Sequence, residues 1–432
     1  MGAMSEDVTT GKPAAAQFEN VPCPFCGILC DDLTIAAESG GLKVVQNGCP
    51  KAVAGFERKV KETGPRVAGK PASLDEAIAA AAGLIKAANL PLFGGLATDV
   101  DGMRAVMAIA DQACGVVDHV LSEAQYRNFK VLQTGGWVTT TLTEARNRAD
   151  LFIILGSNVH TMHPRFFERI VCNERSMFSD NPPKRTVVFI GDDLDQSGAV
   201  GSRIGEVITL PVKRDRIAEV LAAMRAMHKG VHVATDTIAG IPAKDVEDLV
   251  ERCKKASYGV MVWVPPCLKF PNADLTVQAA AEYIKEINLT SRFAGLSLGG
   301  NEGSVSAAAV CAWQSGFPLR VSFASGKPEY DAERFALNRL LAEKEVDLLF
   351  WVASFMEDLT PPDSDVPTIA LATPGMTFKK EPAVFIPVGT PGLDHRGLLV
   401  RCDNVVSLPL RDLGRAALPN VAGIVAKIQA AL

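Results

Sequence analysis

The 432-residue chain has no apolar run approaching 18 residues free of charge or proline. A bilayer-crossing helix needs roughly 20 such residues, so no membrane span is expected. A long basic run is missing too. The 44 Lys and Arg are scattered among 49 Asp and Glu, and the net charge is −5. A nucleic-acid partner needs a basic patch, and none is visible. The first twenty residues hold no apolar core of the kind a signal peptide carries, and 1–17 reads as a flexible tail. No internal repeat and no low-complexity stretch interrupts the rest. Hydrophobic residues make up 48% and charged residues 22%, ordinary for a globular protein rich in buried sheet.

Cysteine is thinly spread except in one place. Cys23, Cys26, Cys30 and Cys49 stand in the spacing C-x2-C-x3-C-x18-C, while six others are isolated. Thiolates are soft ligands, and four around one point suit an iron–sulfur cube or tetrahedral zinc. Zinc sites more often pair C-x2-C with C-x2-C, so the x2, x3 triplet favours a [4Fe–4S] cluster. Zinc and an empty thiol site are the alternatives. A strand at 31–35 and another at 42–45, turned at Gly40-Gly41, would form a hairpin that returns Cys49 to the triplet. Ten cysteines in so long a chain, four of them clustered, fit a reducing cytoplasm better than a secreted disulfide framework.

Beyond residue 65 the pattern is α/β. Ser73 and Glu76 make a capping box for a helix. Short unbroken apolar runs at 91–94, 115–117, 151–155, 186–190, 207–210, 258–264, 294–298, 347–352 and 368–371 alternate with helical stretches. Such runs are buried on both faces, which means parallel sheets flanked by helices. The expected division is a cysteine-rich β segment at 18–64, a first α/β domain at 65–235 and a second at 236–372. A strand-rich segment at 373–432 is expected to pack back on the core.

Ligands in such folds sit beyond the C-terminal strand ends. Gly94-Gly95, Gly156-Ser157-Asn158 and Gly191-Asp192-Asp193 fall at such ends. Gly156, Ser157, Asn158 and Asp192 are therefore candidate cofactor-binding residues, with Gly300 and Asn301 of the glycine-rich loop 299–303. That loop matches neither G-x-G-x-x-G nor a Walker sequence, and a tight turn accounts for it equally well. His160 and His163 lack a third ligand. Asp31-Asp32 reads as a solvated strand start, and the six lone cysteines as small core residues.

The segment Cys-Pro-Phe-Cys-Gly-Ile-Leu-Cys-Asp-Asp at 23–32, with Cys49, resembles the N-terminal cluster segment of molybdopterin oxidoreductases. Within that superfamily the chain is similar to the B subunits of formylmethanofuran dehydrogenase and of the bacterial formyltransferase/hydrolase complex. The likeness runs through 144–150, Gly156-Ser157-Asn158, His163-Pro164-Arg165, 345–347, 392–397 and Arg401. It implies a molybdopterin-oxidoreductase-like fold of the formate dehydrogenase/DMSO reductase type. In the dehydrogenases a Cys-His pair in the loop after the strand near 117 holds tungsten or molybdenum on a bis-pterin cofactor. In the loop 118–125 of this chain Ala124 and Gln125 stand there. Alanine cannot ligate, and glutamine is no acid or base near neutral pH. The resemblance thus implies a noncatalytic, cytoplasmic B-type subunit without Mo or W, assembled with the A, C and D subunits and contacting methylofuran. In that complex formyl groups pass from tetrahydromethanopterin to methylofuran and are hydrolysed to formate. A redox-active dehydrogenase subunit, motivated by the retained thiols, and a zinc-stapled binding protein for a nucleotide-like ligand are the competing readings.

Overall fold

The computed structural model describes residues 16–38 and 41–432. Two largely parallel sheets dominate. One holds five strands in the order Ile204–Leu210, Arg185–Ile190, Leu151–Leu155, Gly259–Trp263 and Phe293–Ser297, every neighbour parallel. The other has nine strands. Its centre is five parallel strands, Val116–Val117, Pro91–Ala97, Leu348–Ala353, Thr368–Ala372 and Val384–Pro387. Short antiparallel strands finish both edges. In chain order the two parallel sets read 3-2-1-4-5 and 2-1-3-4-5, the two doubly wound arrangements. Each order reverses once, and the strand ends at that reversal form the crevice where such folds take ligands.

The strand Leu151–Leu155 shows why its run is apolar throughout. Phe152 and Ile154 join one core, while Leu151, Ile153 and Leu155 join another. Three helices, Ile217–His228, Ala243–Lys255 and Ala273–Ile287, cover the second face. The first face is covered in part by the cysteine-rich segment, including Val21, Phe25 and Phe56. The cysteine segment is therefore part of the core.

The two α/β blocks are interleaved, not consecutive as the divisions 65–235 and 236–372 expected. The chain lays down Pro91–Ala97 and Val116–Val117, then leaves through the helix Ser122–Thr134. It builds the five-stranded sheet and returns at 299–303 into the helix Ser304–Ser315. The remaining strands then complete the nine-stranded sheet, Val384–Pro387 coming from the C-terminal segment. The helix Val421–Ala430 packs into the same core. Periodicity reports a strand but not its neighbour, so it could not see this exchange.

Local differences have local causes. Of the tail expected over 1–17, residues 1–15 lie outside the described residues, and Ala16 and Gln17 already belong to the strand Ala16–Val21. Gly40 of the expected turn also lies outside them. Gly94-Gly95 does not end a strand but lies inside Pro91–Ala97. Gly95 takes φ +73° where the pairing with Leu348–Ala353 slips by a residue. A Cβ there would meet the Val352 carbonyl oxygen at 2.5 Å, so only glycine allows the irregularity. The stretch 118–125 is not all loop, because a helix starts at Ser122 and takes in Ala124 and Gln125. The helical stretch between Leu151–Leu155 and Arg185–Ile190 includes a π-helix, Phe167–Val171. Of the lone cysteines, 253, 311 and 402 are buried, 172 and 267 half-buried and 114 exposed.

Candidate functional site

A three-stranded antiparallel sheet, Ala16–Val21, Leu33–Glu38 and Gly41–Gln46, carries the cysteine loop. Cys23, Cys26 and Cys30 lie between its first two strands. The third strand leads back to Cys49, which opens the helix Pro50–Phe56. The loop closes on itself: Cys23 N–H donates to the Cys30 carbonyl at 2.8 Å, and Leu29 N–H to that of Cys26 at 3.1 Å. Phe25 packs edge-on against Phe56, centroids 5.3 Å apart. The triplet is buried and Cys49 half-buried.

Burial pushes the Cys23 thiol up, and the other three cysteines push it further. Burial likewise raises Cys26, against Lys51, and lifts Cys30 to about 12 with help from Cys26. All four cysteines pack in one core cluster with Phe25 and Phe56. Lys51 acts on Cys26, and Arg169 and Arg165 act on Cys30, so cations stand ready to offset thiolate charge. No three His, Cys, Asp or Glu side chains among the described residues are grouped so as to hold a single ion.

Asp32 is not merely a solvated strand start. It accepts from Arg165 at 2.7 and 2.8 Å and from Arg169 at 2.5 Å, and Asp31 accepts from Arg169 at 2.8 Å. Burial opposes ionisation of Asp32, but the Arg165 hydrogen bond and both guanidinium charges outweigh it and hold the pKa below its usual value. The pairs tie the cysteine loop to the 165–171 segment.

Behind the loop lies a cavity of about 310 Å³. It sits where the chain crosses between the sheets. The outgoing crossing contributes Ala124, Gln125 and Asn128, and the returning one Gly299, Gly300, Asn301 and Ser304. Val264, Pro265 and Leu296 add apolar strand ends, and His163 and Cys402 also line it. Gln125 Nε2 donates to the Ser304 carbonyl at 3.0 Å, joining the crossings. His119 joins them again: its Nδ1 accepts from Leu121 N–H at 2.9 Å, so its Nε2 donates to the Glu302 carbonyl at 3.1 Å.

The cysteine loop and the cavity share a wall. Gly27 lies against Gly299 and Gly300 so closely that a Cβ on it would fall 1.8 Å from the Gly299 carbonyl oxygen. Cys402 N–H donates to the Gly27 carbonyl at 2.8 Å. His163, wholly buried, donates from Nε2 to the Gly299 carbonyl at 3.2 Å. Burial lowers its pKa to about 4, so it is neutral at pH 7.

The structure brings Gly300 and Asn301 together with Ala124 and Gln125. It leaves Gly156, Ser157, Asn158 and Asp192 outside the cavity. Ser157 is consumed structurally, its Oγ donating to the Leu155 carbonyl at 2.7 Å and accepting from Val264 N–H at 2.9 Å. Asn158 Oδ1 accepts from Asp195 N–H at 2.9 Å, and Asp192 lies 4.0 Å from Arg214. Ser297, in the cavity wall, stands in a G-x-S-x-G spacing between Gly295 and Gly299, a spacing that sequence reading wrongly took to be absent. Its Oγ accepts from Asn128 Nδ2 at 2.8 Å, and no histidine nitrogen hydrogen-bonds to it, so the arrangement shows no activated nucleophile.

Sequence reading also missed Glu302, whose only signal was a carboxylate set among glycines. It has φ +53°, and its Oε2 is buried without a partner. Burial, then Asp358, raises its pKa from 4.5 to about 7 against Lys51 and Arg58. The fold therefore favours the neutral acid. That contribution is complete below about pH 4.5 and is lost as the pH rises through about 7. Glu302→Gln should escape the loss. Urea denaturation at pH 5.5 and 8.5 should show the variant gaining about 2 kcal/mol on the parent at the higher pH.

No family model matches the chain. The B-type subunit of a tungsten-containing formylmethanofuran dehydrogenase of Methanocaldococcus jannaschii is 27% identical over 401 residues, covering 89% of this chain and 91% of that protein. The corresponding B-type subunit of the formyltransferase/hydrolase complex of Methylorubrum extorquens is 28% identical over 335 residues, covering 77% and 87%. Among solved structures, that of the formyltransferase/hydrolase complex from Methylorubrum extorquens with methylofuran superposes with a TM-score of 0.72 at 27% identity. The match covers 85% of this chain and 98% of that one. The resemblance carried by the cysteine segment thus extends through the whole fold, and the chain is a homologue of the B subunits of formylmethanofuran dehydrogenase and the formyltransferase/hydrolase complex.

Proposed function

We propose that this chain is the B-type subunit of a formyltransferase/hydrolase complex and performs no redox catalysis itself. The A, C and D subunits would be its partners, methylofuran the carrier it meets, and the cytoplasm its compartment. The observation that carries this is Ala124-Gln125 in the cavity wall. A methyl group and an amide already bound to Ser304 line the cavity at the positions where, by the sequence resemblance, the dehydrogenases carry Cys-His. The cavity, about 310 Å³, is at the small end of drug-sized pockets and far too small for two pterin dinucleotides. These residues do not fit a Mo or W bis-pterin group. The paired doubly wound sheets and the cysteine-rich β segment support a molybdopterin-oxidoreductase-like fold.

The thiols fit an iron–sulfur cube better than zinc. Cys23, Cys26, Cys30 and Cys49 would hold it, with Lys51, Arg165 and Arg169 offsetting its charge. A bound cluster supplies either one-electron transfer or a structural staple, and metal binding to buried thiols adds directly to folding free energy. The chain's own residues form a rigid shell whose loop is braced by Asp32 against Arg165.

Purification from the native host should yield the chain with three partner subunits, about four irons per chain, and no stoichiometric tungsten or molybdenum. A metal-pterin with viologen-linked formate oxidation would overturn the reading. The retained thiols motivate the redox-active alternative. There Cys23→Ser should abolish low-potential electron transfer, whereas here it should cost iron and stability alone.

A further inference from the structure

The cavity between the crossings presents lone pairs. Gln125 Oε1 is buried and has no partner, and its orientation is fixed because Nε2 is held by Ser304. His163 Nδ1 is buried and has no partner, and it bears no proton because Nε2 carries it to the Gly299 carbonyl. Asn301 Oδ1 is a third buried acceptor without a partner. Buried polar atoms in native folds are almost always satisfied, so three orphans around one space mark what that space is built to receive. Much of the remaining wall is apolar or aromatic, including Phe129, Trp137 and Pro265, with Asn128, Thr139, Ser297, Asp403 and Asn404 as further polar side chains.

We infer that this cavity binds a small, uncharged, flat apolar group bearing an N–H or O–H donor. The acceptors set the class. A donor satisfies Gln125 Oε1 or His163 Nδ1, whereas a carboxylate such as formate brings further lone pairs against them. Ser297 could offer a carboxylate one hydroxyl proton, but Gln125 Oε1, His163 Nδ1 and Asn301 Oδ1 would still meet its lone pairs with their own. A cation fares no better, because Lys51 lies behind His163, its Nζ donating to the Met162 carbonyl at 2.8 Å. The cavity is therefore no formate passage. The inference is independent of the assembly reading, since it rests on atoms of this chain alone.

Titration calorimetry and saturation-transfer NMR on the full chain test it with indole, 1-methylindole and formate. Indole should bind with a Kd of about 1 mM or tighter. The N-methyl analogue, which has no donor to give, should bind roughly tenfold weaker or worse. Ala124→Phe, which fills the space, should abolish indole binding, and Gln125→Leu should narrow the gap between the two indoles. The wild-type comparison needs no variant to fold. Equal binding of the two indoles, no indole binding, or displacement of indole by formate would each overturn the assignment.

Discussion

Gly27→Val is expected to destabilise the chain by about 3 kcal/mol or more and to loosen the cysteine centre with it. The position has no room. A Cβ would lie 1.8 Å from the Gly299 carbonyl oxygen, 2.7 Å from its carbon and 2.9 Å from Gly300 Cα, all backbone atoms. Backbone cannot rotate away as a side-chain end can, so either the cysteine loop or the returning crossing must move. Movement of the loop strains the Cys402 to Gly27 hydrogen bond, and movement of the crossing strains the His163 to Gly299 bond. The variant should therefore melt earlier and, with the proposed cluster bound, lose iron faster to a chelator. Gly83→Ala is the control, because its helix site has nothing within 4 Å and should tolerate or gain from the methyl. Equal melting of the two variants would refute the shared wall.

Arg185→Met should cost on the order of 3–5 kcal/mol. Arg185 is wholly buried, and no carboxylate hydrogen-bonds to it. Its guanidinium instead donates to carbonyls at 2.9 Å from Ala149, 2.5 Å from Ile170 and 2.6 Å from Val171, and to that of Arg146. Those carbonyls end the helix Leu142–Arg148 and the π-helix Phe167–Val171, where no intrahelical donor remains for them. Burial and the neighbouring Arg203 lower its pKa to about 10, so it stays charged at pH 7. Methionine replaces the aliphatic stem, stops short of the guanidinium and removes every donor. Arg165 and Arg169, which brace the cysteine loop through Asp32, belong to or adjoin that π-helix. Urea denaturation should thus report a large loss, accompanied by weaker iron retention where the proposed cluster is bound. A loss below about 1 kcal/mol would show that the carbonyls find other donors.

How much could be read beforehand varies with the range of the interaction. The capping box is present as written, Glu76 N–H donating to Ser73 Oγ at 3.2 Å and Ser73 N–H to Glu76 Oε2 at 2.8 Å. Each depends on residues three apart. The hairpin that returns Cys49 to the triplet spans some twenty residues and was equally legible, because a turn between two strands leaves few alternatives. The strand at 91–94 was found but cut short, since its two glycines read as an end while the Val352 carbonyl made them necessary inside. Glu302 gave almost no signal, and His163 was noticed only as a ligand short of partners and as part of the family likeness, because their importance lies in what surrounds them.

Residue by residue, the amino-acid order determined where strands and helices form, that the strands are buried on both faces, and which side chains position 124 could never supply. Those features depend on neighbours along the chain or on side-chain chemistry alone. Only the tertiary structure decided that the five-stranded sheet is inserted within the nine-stranded one, that the cysteine loop backs onto the cavity through Gly27, and that three unpartnered acceptors line the cavity. Those depend on 27, 125, 163, 299 and 402 meeting in space, and no local period encodes a meeting between segments so far apart.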